Sequence, residues 1–183
     1  MMKLMAAKPS PFVRKVRVLI LETGQSEDVE IIYIMPTPVS PDEQAMAANP
    51  TGKIPSLIRE DGPALYDSRV ITRYLDARAG AGLYPEARLW ETLTLEATAD
   101  AIMDAGWAEA QWGKIERAVS AINERWMSHL QGPMDRSHIA VGCALAYLDF
   151  RQPDRDWRGS NPELAAWFAE FETREAMQAT KPE

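Results

Sequence analysis

Three places in this sequence put polar groups where the chain changes direction, and each admits a chemical and a plain explanation. The first is Ser10, followed by Pro11. Serine then proline fits a helix start, with Ser as N-cap and Pro at the first helical position. A hydroxyl at the positive end of a helix can stabilise a thiolate. Arg14, Lys15 and Arg17 follow. Cations near a helix start oppose the dipole, so they need a nearby anion or solvent. The plain explanation is an N-cap with a solvated basic face. The second place is Lys53-Ile54-Pro55. A proline before a strand donates nothing to a ladder. Only about 5–6% of X–Pro bonds are cis. A cis bend here would turn the Ile54 N–H and C=O outward, where an extended peptide can pair with them. A trans loop proline is the ordinary alternative. The third is Tyr66-Asp67-Ser68, where a strand hands over to a helix. Free N–H groups and the Ser68 hydroxyl suit a carboxylate, and Asp67 suits an ammonium. Simple capping by Asp and Ser explains the same residues.

The elements that must position these groups follow from periodicity. Lys3–Ala7 is a short apolar strand candidate. Phe12, Val16, Leu19 and Ile20 recur at helical spacing until Gly24. Val29–Ile34 is a second strand, residues 36–41 are loop, and Asp42–Ala48 is a short helix. Ser56–Arg59 and Ala64–Tyr66 flank Asp61-Gly62, a hairpin signature. Asp67–Ala77 is helical, with Val70, Ile71, Tyr74 and Leu75 on one face. Strand, helix, strand, helix, hairpin and closing helix make an α/β layer packing.

After Arg78 the composition shifts, and residues 79–86 resemble a linker. Helices alone are expected beyond it: Pro85–Asp104, then a stripe of Trp112, Ile115, Val119, Ile122 and Trp126. A third helix, Ser137–Phe150, is capped by Asp135. It is apolar nearly all round, so it belongs at the centre of a bundle. A last one starts at Asn161-Pro162. The expected domains are thus 1–78 and 87–183. Gly106 is the sole break between the first two helices of the bundle, although such connections usually take about 2–8 residues. A dropped loop between about Asp104 and Glu109 is one explanation.

The bulk properties narrow the function. The chain has 183 residues and a net charge of −7. An acidic chain has the wrong long-range field for coating nucleic acid or an anionic membrane. Its single cysteine, Cys143, allows no internal disulfide and suits a reducing compartment. No run approaches the roughly 20 apolar residues of a membrane span. A cytoplasmic location is expected. Asp100 and Asp104 share a helix face but have no further acid or histidine at ligand spacing, so no metal site is expected. Cys143 and most of the six tryptophans are expected in the core.

Order and spacing together resemble the glutathione transferase superfamily. The carrying patterns are Ser-Pro-Phe-x-x-Lys-Val at 10–16, Asn-Pro-x-Gly-x-Ile-Pro-x-Leu at 49–57, and Asp-Ser-Arg-x-Ile at 67–71 with Tyr74-Leu75. Gly113–Arg117 and Ile139–Phe150 extend the likeness, and the latter resembles the core helix of a bacterial subgroup. The resemblance implies a thioredoxin-like N-terminal domain, an all-helical C-terminal domain and glutathione as co-substrate, with no metal. Ser10 would be the catalytic residue, hydrogen-bonding the glutathione sulfur. Phe12, Lys53, Ile54, Pro55, Asp67, Ser68 and Arg69 would form the glutathione site. Within it, Ile54 before a cis Pro55 would hold the cysteinyl backbone, Asp67 and Ser68 the γ-glutamyl end, and Lys53 would lie near the glycine carboxylate. The implied activity is conjugation of glutathione to a small hydrophobic electrophile, or glutathione-dependent peroxide reduction. The implied partner is a second copy of the chain.

One departure stands out. The family's core-helix cap usually reads Ser/Thr-x-x-Asp, whereas here it is Asp135-Arg-Ser-His138. Asp135 can still cap, but a protonated His138 cannot return the hydrogen bond, so a surface capping histidine is expected. A non-catalytic interaction or sensing protein is the alternative function, since fold does not fix activity. Disulfide exchange ranks low, because it needs a cysteine where Ser10 stands.

Overall fold

The computed structural model describes residues 1–34, 43–106 and 112–182. The chain divides into two compact units, Met1–Ala81 with Thr180–Glu183, and Gly82–Ala179. In the first unit, strand β1 (Met2–Ala6) leads into helix α1 (Pro11–Glu22), then β2 (Val29–Tyr33), α2 (Glu43–Ala48), β3 (Ser56–Ile58) and α3 (Ser68–Ala79). The sheet has the order β2-β1-β3, with β2 parallel and β3 antiparallel to β1. The strand at its centre is the most buried: Leu4, Met5 and Ala6 have 1% exposure or less. Helix α1 forms because Ser10 and Pro11 start it and its apolar face, Val13, Val16, Leu19 and Ile20, is buried. Helix α3 runs on to Ala79, past the expected Ala77, and stops at Gly80, whose φ of +62° is the left-handed cap glycine tolerates without cost.

The expected hairpin is present in reduced form. Residues 56–58 pair with β1, but the return arm touches β3 only through the bridge Leu57–Leu65. Asp61-Gly62 gives a turn without enough alternating apolar residues after it to sustain a fourth strand.

The second unit is helical throughout its described residues. It contains α4 (Leu89–Ala105), α5 (Trp112–Arg125), α6 (Met127–Leu130), α7 (Arg136–Arg151), α8 (Pro162–Phe171) and α9 (Glu175–Gln178). The helix expected from Pro85 opens instead as a 3₁₀ turn at Glu86–Arg88 before α4. Helix α7 is the core: Ile139, Val141, Leu145 and Leu148 are fully buried, each worth about 1.5–3 kcal/mol in area removed from water. It approaches α8 so closely that a Cβ on Gly142 would lie 2.5 Å from the Phe171 ring. Cys143 is buried, as expected. The tryptophans differ from expectation. Of those described, only Trp157 is buried, and Trp90 is 76% exposed. An i, i+3, i+4 stripe marks which face turns inward, not how deep a large ring sinks. The connection at 107–111 and the segment 35–42 lie outside the described residues, so the suspected missing loop does too.

Candidate functional site

Topology gathers the three singled-out places. Ser10 follows the carboxyl end of β1. Because β3 runs antiparallel, its first residue, Ser56, pairs with Met5 at that same end. Ile54 and Pro55 immediately precede it. Leu65 bridges Leu57 in antiparallel sense, so the chain from Leu65 to Ser68 runs back toward the same end. Ser10, Ile54-Pro55 and Asp67-Ser68 thus share one edge of the sheet.

Each brings unused hydrogen-bonding groups. Ser10 caps α1: its Oγ accepts the Val13 N–H at 3.3 Å. Its own O–H has no acceptor among the described residues, so it can donate elsewhere. The Ile54–Pro55 bond is cis. The Ile54 side chain packs against a cluster of Met5, Ile34, Ala45 and Ala48, which anchors the residue. Its N–H and C=O make no hydrogen bond among the described residues. The loop before it is organised by buried Asn49. The Asn49 Nδ2 donates to the Lys53 C=O at 2.9 Å, and its Oδ1 accepts from the Thr51 N–H (3.0 Å) and Oγ1 (2.9 Å). The Lys53 side chain is exposed.

At the third place the Tyr66–Asp67 bond is also cis. Asp67 caps α3 through its Oδ1, which accepts the Arg69 N–H at 3.0 Å, while Oδ2 lies 3.3 Å from the Arg69 guanidinium. Burial pushes the Asp67 pKa up. The hydrogen bonds from Arg69, with the charges of Arg69 and Lys15, outweigh that and hold the carboxyl below its ordinary value. It is an anion at neutral pH. Ser68 is buried and its C=O accepts from the Thr72 hydroxyl at 2.9 Å. The Asp67 and Ser68 N–H groups are free at a helix start, where an anion is favoured.

The solvated basic face on α1 is a correction. Arg14 is 6% exposed and Lys15 0%. Burial removes the solvated explanation; the charge of Lys15 adds, as the least of several causes, to the lowered pKa of Asp67, and its ammonium sits 5.9 Å from the Phe12 ring. Arg14 Nε donates to Thr180 Oγ1 at 3.3 Å. The sequence pattern missed the roles of Lys15 and Asn49. The Asn49–Thr51 Asx turn was accessible from residue types; the burial of Lys15 was not.

His138 is a second correction. It is 3% exposed and not on the surface. It completes a capping box, with the Asp135 N–H donating to Nδ1 at 3.2 Å. His129, Asp135 and His138 each bring a potential ligand atom within 4.8 Å of the others. Those atoms are engaged in the cap: Asp135 also takes Thr92 Oγ1 at 2.9 Å and meets His129 Nε2 at 2.8 Å. The cluster is accounted for as the fixing of a buried helix start. No helix of the described residues is long and apolar enough to cross a membrane.

Comparison with known proteins agrees with this architecture. Residues 9–78 match the glutathione S-transferase N-terminal domain and residues 105–170 its C-terminal domain. A GST-like protein of Escherichia coli K12, YibF, is 31% identical over 205 residues, covering 99% of this chain and 98% of that one. A glutathione transferase family member from Pseudomonas fluorescens Pf-5, solved with bound glutathione, is 41% identical with a TM-score of 0.95, and each chain is covered completely. A glutathione S-transferase from Methylobacillus flagellatus KT, solved with glutathione bound, is 31% identical with a TM-score of 0.85, again over both whole chains. The chain belongs to the glutathione S-transferase family, and its fold is the thioredoxin-like domain plus helical domain of that family. An alignment of 205 residues with YibF exceeds the 183 present here, so YibF carries residues this chain lacks.

Proposed function

We propose that this chain is a cytoplasmic, dimeric glutathione transferase that binds glutathione along the sheet edge defined by Ser10, Ile54 and Asp67-Ser68. The observation that carries this is the convergence there of a free hydroxyl donor, an unpaired backbone N–H and C=O, and an anionic carboxylate beside free helix N–H groups. These match the tripeptide in order. The thiol meets Ser10, the cysteinyl backbone pairs with Ile54, and the γ-glutamyl ammonium and carboxylate meet Asp67 and Ser68. Pro55 shapes the bend, Phe12 and Arg69 flank the site, and Lys53 lies toward the glycine carboxylate. Relatives with glutathione bound support the assignment.

Ser10 would act by favouring the thiolate. Lowering a thiol pKa by two units takes about 2.7 kcal/mol. One hydrogen bond to a charged acceptor gives about 1.5–3 kcal/mol, and the α1 N-terminus adds about 0.3–1 kcal/mol. The thiolate then attacks a hydrophobic electrophile: the S–C bond forms, and the displaced group leaves with its electron pair. With a peroxide instead, the thiolate attacks one peroxide oxygen, the S–O bond forms as the O–O bond breaks, and the other oxygen leaves as an alkoxide that takes up a proton. A second glutathione thiol then displaces the hydroxyl of the sulfenic acid as water, and the disulfide forms. No metal enters either step.

Titration calorimetry with glutathione tests binding, and Ser10→Ala assayed for conjugation tests turnover. Saturable binding in the millimolar range or tighter, with a large loss of rate in Ser10→Ala, is expected. Unchanged activity in Ser10→Ala near neutral pH contradicts the assignment of Ser10. Binding without turnover points to the sensing role.

A further inference from the structure

Thr180 is a buried residue between two exposed ones, Ala179 and Lys181. It follows α9, yet it belongs to the first compact unit and not to the helical one. Its Oγ1 accepts a hydrogen bond from Arg14 Nε at 3.3 Å, across 166 positions of sequence. Both residues are buried. Burying a polar group is unfavourable unless it is hydrogen-bonded, so each side chain depends on contacts of this kind. The bond ties the segment around Thr180 to α1.

Arg14 connects that tie to Ser10. It stands one turn along α1, and its backbone N–H donates to the Ser10 C=O at 3.0 Å. The adjacent Val13 N–H donates to Ser10 Oγ at 3.3 Å. The first turn of α1 therefore holds both the backbone and the side chain of Ser10. Helical side chains lean toward the helix N-terminus, so the Arg14 stem covers the turn that Ser10 opens. A guanidinium stays charged at every working pH and opposes the dipole at a helix start. Buried there, it is kept in place by fixed acceptors, and Thr180 Oγ1 is one of them.

We propose that Thr180 is a positioning residue for the glutathione thiolate. Its hydroxyl fixes Arg14, Arg14 fixes the first turn of α1, and that turn aims the Ser10 hydroxyl at the sulfur. This rests on the assignment of the glutathione sulfur to Ser10. A hydrogen bond weakens steeply as it bends, and small misplacements of an orienting group slow a reaction strongly. The Ile54 backbone and Asp67-Ser68 lie outside this chain of contacts. The signature of Thr180 is thus a change in thiol acidity with the grip on the tripeptide retained.

The test is the pKa of the bound glutathione thiol, followed by thiolate absorbance in the full chain. Thr180→Val removes the hydroxyl and keeps the shape. It should raise that pKa by about half a unit, a roughly threefold loss of preference for the thiolate. Affinity for S-methylglutathione, which has no thiol, should stay within about twofold. Thr180→Ser should restore the pKa and Thr180→Ala should not; this pair carries the test if the valine variant does not fold. In a Ser10→Ala background, Thr180→Val should add no further shift, because the two act as one unit. Ser10→Ala alone is the reference. If it moves the thiol pKa while Thr180→Val and Thr180→Ala do not, Thr180 has no positioning role and Ser10 keeps its own. If Ser10→Ala moves nothing, the assignment of Ser10 falls and this inference with it. An undiminished Thr180→Val shift in the Ser10→Ala background, or a Thr180→Ser chain that behaves as Thr180→Ala, also overturns the proposal.

Discussion

Asp67 and Asp135 begin as the same device and end with different work. Each is an N-cap whose Oδ1 accepts the N–H two residues on, at 3.0 Å from Arg69 and 2.9 Å from Ser137. Each has a serine within two residues and an arginine beside it. The difference lies in what surrounds them. The Asp67 side chain is 58% exposed and, among the described residues, meets Arg69 at close range. The Asp135 side chain is fully buried and also engages Thr92, Ser137, His129 and His138. One carboxylate has capacity left for a ligand; the other is consumed in holding α7. Local residue pattern defines a cap, and tertiary surroundings decide how much of its carboxylate is left over.

Substitution at the buried cap has the largest expected effect. Asp135→Ala removes a buried anion from Thr92, His129, Ser137, His138 and Arg88 and should cost about 3–5 kcal/mol of stability, measured by urea denaturation. A loss below about 1 kcal/mol would erase the distinction between the two caps.

Asp67→Ala should separate stability from binding. Its cost in stability is that of an exposed N-cap, about 1 kcal/mol, while glutathione affinity drops tenfold or more, at least about 1.4 kcal/mol. Paired denaturation and calorimetry read both quantities. An unchanged affinity would make Asp67 a structural cap like Asp135.

Ser10→Ala shifts the chemistry more than the fold. The pKa of bound glutathione thiol, followed by thiolate absorbance, should rise by about one to two units, with about 1 kcal/mol lost from the α1 cap. A thiol pKa that does not move would leave Ser10 as a cap alone.

Acid sensitivity is the smallest effect and sharpens the same contrast. Burial works to raise the Asp135 pKa, but hydrogen bonds from His138, Ser137 and Thr92, with the charge of His138, hold the carboxyl far below its ordinary range. A carboxyl depressed in the folded state contributes stability above its unfolded pKa of about 3.9. That contribution is lost as pH falls through the folded value. Asp135→Asn should therefore flatten the loss of stability below about pH 4. Asp67→Asn should change that slope much less, because Asp67 is largely exposed and solvent screens it. Equal slopes in the two variants would contradict the assigned environments.

Much of this architecture was legible in the residues. Ser10-Pro11 started α1, Gly80 ended α3, and the all-round apolar run 139–148 became the buried core of α7. The singled-out residues of the first unit fall on one sheet edge because β3 returns antiparallel beside β1. What periodicity could not give was depth. Lys15 and Arg14 read as a solvated face, yet packing buries them beside groups from α3 and the chain's last residues. His138 read as a surface cap, yet it lies under Trp167. Burial of charge depends on partners distant in sequence, which spacing does not encode.

The most direct measurement is a crystal structure of the chain soaked with glutathione. The account predicts the glutathione sulfur within about 3.5 Å of Ser10 Oγ, the cysteinyl amide paired with the Ile54 backbone, and the γ-glutamyl group at Asp67 and Ser68. Glutathione seated elsewhere, or a sulfur turned away from Ser10 while the tripeptide is bound, would contradict it.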